Sequence, residues 1–162
     1  MSTTSPRYQV DITADPTVPV ITMTRDFDAT PAQLMRAHTD ADLFARWVGP
    51  NGIENTIVEW DARTGGCWRY VSRHDGQEYG FHGSFHDVGD DRIVQTFTFD
   101  GMPDSVSLET LWFEDLGDGR TRVVGTTMFF TPEERDGMVH SGMEGGMNES
   151  YAALDRVLAA MA

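Results

Sequence analysis

Lysine does not occur in this chain: all 12 basic residues are arginine, set against 26 aspartates and glutamates, for a formal net charge of −14. Without lysine there is no Schiff-base chemistry, no pyridoxal-type lysine enzyme and no P-loop, whose lysine reaches the phosphates. The charge balance also excludes a nucleic-acid reader, which needs a basic stripe to displace counterions, and disfavours anionic membrane surfaces. Cysteine is nearly absent. Cys67 stands alone, so neither an internal disulfide nor a cysteine zinc cluster can form. Long apolar runs are missing too: the longest, residues 157–162, falls far short of the ~20 residues of a membrane span. The opening residues lack the apolar core of a signal peptide. These absences lead to the expectation of a cytoplasmic protein with no membrane insertion, no metal and no cofactor.

What is present is a globular composition, 40% hydrophobic and 23% charged over 162 residues. That length suits one domain with a sizeable core and room for an internal pocket. Residues 1–16 are polar, carry Pro6 and Pro16, and read as a flexible N-terminal arm, leaving 17–162 as the folded domain. A strand is expected from 18 to 27. Thr30-Pro31-Ala32-Gln33 is a helix start, with Thr30 as N-cap, Pro31 in the first turn and Gln33 completing a capping box. Leu34, Met35 and His38 continue at helical spacing, and a second short helix follows over 40–47.

The middle of the chain is β. Segments 57–61, 67–73, 78–88, 92–99, 106–114 and 120–130 are rich in Val, Thr and aromatics, and glycine- or aspartate-containing turns separate them. Such short connections make antiparallel neighbours, so the six form a meander. Thr131-Pro132-Glu133-Glu134 repeats the helix-start device. After it Val139, Met143, Met147, Tyr151, Leu154 and Leu158 form the apolar stripe of one long amphipathic helix.

Most motif-like features have structural explanations. His82 and His86 are four apart, but in a strand that spacing spans roughly 13 Å, too far to share an ion. Their strand alternates, with Tyr79, Phe81 and Phe85 on the opposite face. Glu133, Glu134 and Asp136 compensate a helix dipole. No serine elbow and no dinucleotide glycine motif is present. The aromatic strand residues and the helical Met143 and Met147 make either a packed core or the wall of a cavity. Gly142, Gly145 and Gly146, each costing about 1 kcal/mol within a helix, fit a cavity kept open beneath it or close packing of helix on sheet.

Four blocks carry a family likeness. They are Trp60-Asp61-Ala62-Arg63-Thr64-Gly65-Gly66-Cys67-Trp68-Arg69-Tyr70, Glu78-Tyr79-Gly80-Phe81-His82-Gly83, Arg92-Ile93-Val94-Gln95-Thr96-Phe97, and Asp136-Gly137-Met138 through Ser141-Gly142-Met143-Glu144. Over residues 18–158 the chain resembles the SRPBCC (START-like, Bet v 1-like) superfamily, in the branch named after the activator of Hsp90 ATPase homologue 1. The resemblance implies an α+β helix-grip fold: a curved seven-stranded antiparallel sheet wrapped around a long C-terminal helix, with two short helices after the first strand. It also implies a hydrophobic cavity, and activities that range from lipid and polyketide binding to cyclase chemistry and co-chaperone contact. The branch has no catalytic motif that transfers residue by residue.

The expected function is binding of a small, largely hydrophobic ligand between sheet and helix, with acid–base processing as an extension. The alternatives are an Hsp90-activator-like interaction module and a polyketide aromatase/cyclase-type enzyme. Candidate cavity residues are Trp47, Trp68, Tyr70, Phe81, Gln95, Phe97, Met128, Met143 and Met147, with Glu109 as the candidate catalytic group. If Ser107, Glu109, Leu111 and Phe113 face inward, Glu109 is a buried carboxyl with a raised pKa. If Leu108, Thr110 and Trp112 do, it is a surface acid. Self-association into a homodimer is left open.

Overall fold

The structure is a computed structural model and describes residues 7–162. Its elements in chain order are β1 (Asp11–Ala14), β2 (Val20–Phe27), α1 (Pro31–Thr39), α2 (Ala41–Trp47), β3 (Glu54–Trp60), β4 (Cys67–His74), β5 (Gln77–Val88), β6 (Arg92–Phe99), β7 (Ser107–Gly117), β8 (Arg120–Met128), α3 (Pro132–Val139) and α4 (Met143–Met161). The strands form one antiparallel sheet in the order β1-β2-β8-β7-β6-β5-β4-β3. β3 to β8 are the meander that the turn signals require, while β2 returns to pair with β8. The sheet grips α4, as the helix-grip expectation has it.

Two features differ from the sequence reading. The sheet has eight strands rather than seven, because Asp11–Ala14 pairs with β2, Asp11 opposite Thr24 and Ala14 opposite Ile21. The stretch read as a flexible arm is therefore a β-strand over those four residues; its first six residues lie outside the described ones. The second difference is in the C-terminal helix, which is two helices. Gly142 sits at φ +86°, a left-handed conformation that only glycine adopts without strain, and it divides α3 from α4.

The caps follow the local rules. Thr30 Oγ1 accepts from the Gln33 amide at 3.2 Å while the Thr30 amide donates to Gln33 Oε1 at 2.8 Å, a complete capping box. At α3 only half the device forms: Thr131 Oγ1 accepts from the Glu134 amide at 3.1 Å, with no return bond from the Glu134 side chain.

On β2 the inward set is Ile21, Met23, Arg25 and Phe27, all buried. Arg25 is the exception to an apolar face. It makes two bonds to Asp155 of α4, Nη1 to Oδ1 at 2.8 Å and Nη2 to Oδ2 at 2.7 Å. Its guanidinium carbon lies 4.5 Å from the Phe27 ring centroid. Together with the buried Tyr151, Leu154 and Leu158, this pair fixes α4 on the sheet. Further along the helix, Ser150 Oγ donates to the Gly49 carbonyl at 2.8 Å.

One glycine position is dictated by close approach. Gly83 of β5 pairs directly with Trp68 of β4, and a Cβ there would collide with the Thr96 carbonyl oxygen and stand 2.6 Å from the indole. Overpacking a fitted site costs about 1–3 kcal/mol or more. Gly83→Ala is expected to lose at least that much in a urea melt and to shift the tryptophan emission. An unchanged melt would show that the indole does not rest on Gly83.

Candidate functional site

Between the concave face of the sheet and α4 lies a pocket of about 310 Å3, within the range of small-molecule sites. Its walls are built by alternation. Inward positions of β4 supply Trp68 and Tyr70, those of β6 supply Gln95 and Phe97, and β7 supplies Ser107, Glu109 and Leu111. The helices close it with His38, Phe44, Trp47, Met143, Met147 and Tyr151. Trp68 stacks on Tyr70 with centroids 5.5 Å apart, and Phe81 packs against Tyr70 at 5.2 Å and Phe97 at 5.4 Å. A wider hollow of about 530 Å3 adjoins it under α3, sharing Phe97, Ser107, Phe129 and Met138.

Of the nine cavity candidates, Trp47, Trp68, Tyr70, Gln95, Phe97, Met143 and Met147 line this pocket together with Glu109. Phe81 does not: it stands behind Tyr70 and Phe97 as their packing support. Met128 is misplaced. It is 52% exposed, because the alternation that buries Thr121, Val123 and Gly125 on β8 sends position 128 to the outer face, opposite Val20 and Leu108. The helix glycines also play a different part from either expected one. Gly142 breaks the helix, Gly145 and Gly146 do not line the pocket, and a Cβ on any of the three would meet nothing within 4 Å.

β7 turns its odd-numbered face inward, which decides the position of Glu109: Ser107 and Phe113 are buried, while Leu108 is 41% and Trp112 38% exposed. Glu109 Oε1 accepts from Gln95 Nε2 at 2.9 Å. Burial pushes the carboxyl above the usual carboxylate range, and the Gln95 amide pulls it partly back. Burial, and then the nearby Glu109, also raise the phenols of Tyr70 and Tyr151 above the ordinary tyrosine value.

His38 was visible in the sequence only as part of the apolar stripe of α1. It is buried, its ring 4.9 Å from Trp47 and 5.1 Å from Phe113. Nδ1 lies 2.8 Å from the Leu34 carbonyl; a carbonyl only accepts, so the proton is on Nδ1 and Nε2 bears a bare lone pair. Among the described residues that Nε2 has no hydrogen-bond partner, and neither does the indole Nε1 of Trp68. Desolvation lowers the His38 pKa from 6.5 to about 4, so the ring is neutral near pH 7. Both atoms are closed off from the pocket as well, so each burdens the fold as an unpaired buried polar group. Among the described residues no three His, Cys, Asp or Glu side chains converge as metal ligands would, and no helix is long and apolar enough to cross a membrane.

The fold recurs widely among solved structures. A Rhodobacter sphaeroides protein is 28% identical, with 95% of this chain and all of that one covered at a TM-score of 0.83. An Arthrobacter aurescens protein is 24% identical over 92% of this chain and 91% of its own, with a TM-score of 0.83. A Mycobacterium smegmatis protein is 22% identical over 91% and 95%, with a TM-score of 0.81. No curated protein matches the chain. The family model described as activator of Hsp90 ATPase homolog 1-like protein matches residues 28–159, a stretch that takes in both short helices, the sheet from β3 to β8 and nearly all of α4. The chain belongs to that family.

Proposed function

We propose that the protein binds a small, largely apolar molecule in the pocket between sheet and α4. One observation carries the reading: a hollow walled by Trp47, Trp60, Trp68, Tyr70 and Phe97 holds one hydrogen-bonded polar pair, Glu109 and Gln95. A ligand with an apolar body and a polar group would match those walls and that pair. Glu109, held by Gln95, is the group that would give or take a proton if the bound molecule is processed.

The test is a titration with the neutral dye N-phenylnaphthylamine, followed in the Met147→Trp variant. Met147 lines the pocket from α4. Wild type is expected to bind the dye saturably and near one-to-one. Met147→Trp is expected to abolish binding while costing under about 1 kcal/mol, because the added volume enters a void. In a close-packed core the same change costs about 1–3 kcal/mol. A parent that never binds the dye, with a variant strongly destabilised in urea, would refute the reading.

A further inference from the structure

Among the described residues, a single formally charged side chain lines the pocket, Glu109. One of its oxygens takes the Gln95 amide. Glu109 takes part in no ion pair among the described residues. The cation on the same inner surface, Arg25, is already engaged two-handed by Asp155. A carboxylate placed among aromatic rings and left without a countercharge is under-compensated by its own protein.

The surroundings favour a positive guest. Trp47, Trp60, Trp68, Tyr70, Phe97 and Tyr151 all line the pocket, and aromatic faces attract cations, more strongly where water is excluded. An N–H-bearing cation would meet a carboxylate and ring faces at once. An anion would meet the negative side of each.

We propose that the ligand is an organic amine, bound as its ammonium form with the charge against Glu109 and an apolar body among the rings. The proposal rests on the pocket being a small-molecule site, and the experiment separates the two. Phenylbutylamine, phenylbutanol and phenylbutyrate share one apolar body and differ in head group. Each is titrated calorimetrically into the full chain at physiological salt and at several-fold higher salt.

The amine is expected to bind about tenfold or more tighter than the alcohol at both salt levels, with the carboxylate weakest. In Glu109→Gln the amine's advantage over the alcohol should fall to within about threefold. If that variant does not fold, Glu109→Met, of matching length and suited to an apolar wall, replaces it. Should neither fold, the ordering in wild type still decides. An alcohol or carboxylate that binds as tightly as the amine overturns the proposal. So does an amine preference that survives the loss of Glu109 or vanishes at high salt, since it would then come from the −14 surface charge. If the dye and the alcohol bind without any amine preference, only the cation proposal falls. If no probe and no dye binds, the pocket reading falls with it.

Discussion

Replacing Asp155 with alanine is expected to destabilise the protein by about 3–5 kcal/mol, the typical cost of breaking a buried ion pair from one side. The penalty comes mostly from what remains. Arg25 has a side chain only 1% exposed, while Asp155 is 33% exposed, so the variant strands a guanidinium in the core rather than a carboxylate in water. The residual partners, the Tyr8 carbonyl at 3.1 Å and the Asp26 carbonyl at 3.4 Å, are neutral, and Arg25 Nε already lacks a partner among the described residues. Urea melts of Asp155→Ala and of the double variant Arg25→Met with Asp155→Leu measure this. The double variant should recover most of the loss, since an apolar pair of similar bulk removes the buried charge. If Asp155→Ala melts within 1 kcal/mol of wild type (about the value of an exposed pair), the pair does not hold α4 to the sheet.

Acid should weaken the fold through His38. In the folded state its pKa is about 4, against 6.5 for a free imidazole. Between those values the unfolded chain binds a proton that the folded chain refuses, so stability rises with pH across the window. The contribution is fully present above pH 6.5 and is lost as pH falls toward 4, by roughly 3 kcal/mol. Glu109 acts in the opposite sense, its raised pKa giving stability that is lost as pH rises through its folded value. The His38 part is isolated by comparing wild type with His38→Phe in urea melts at a series of pH values. The difference between the two stabilities should change across the window. Parallel curves would mean that His38 is not buried neutral.

Much of the fold was legible because local chemistry determines it. Thr30-Pro31 and the glycine-aspartate turns mark where elements start and stop, and short turns leave antiparallel pairing as the only choice. What escaped depended on parity or on distance. Both faces of β7 carry apolar side chains, so alternation could not say whether Glu109 looked in or out; the answer lies in the register with β6 and β8, where Glu109 stands opposite Gln95 and Thr127. Met128 was misassigned for the same reason, one residue deciding inside from outside. His38 looked like any polar residue on a helical stripe, and only the rings brought to it by α2 and β7 reveal a desolvated imidazole. The break at Gly142 was hidden because the apolar stripe runs through it. The glycine was conspicuous, but its volume drew attention where its backbone angle mattered.

The strand order has a consequence for how the chain is made. β2 lies beside β8, with Val20 opposite Met128 and Phe27 opposite Thr121. During synthesis β3 to β8 emerge as successive hairpins, each with a neighbour just completed. β2 has only the four-residue β1 along one edge until β8 leaves the ribosome, and Arg25 waits longer, for a carboxylate 130 residues downstream. For that interval Ile21, Met23 and Phe27 form an open apolar strand face, the kind of surface on which nascent chains stick together. A charge in the middle of such a face acts as a gatekeeper against premature pairing. The guanidinium that burdens the finished core without Asp155 is thus what keeps the waiting strand in water until α4 arrives to neutralise it.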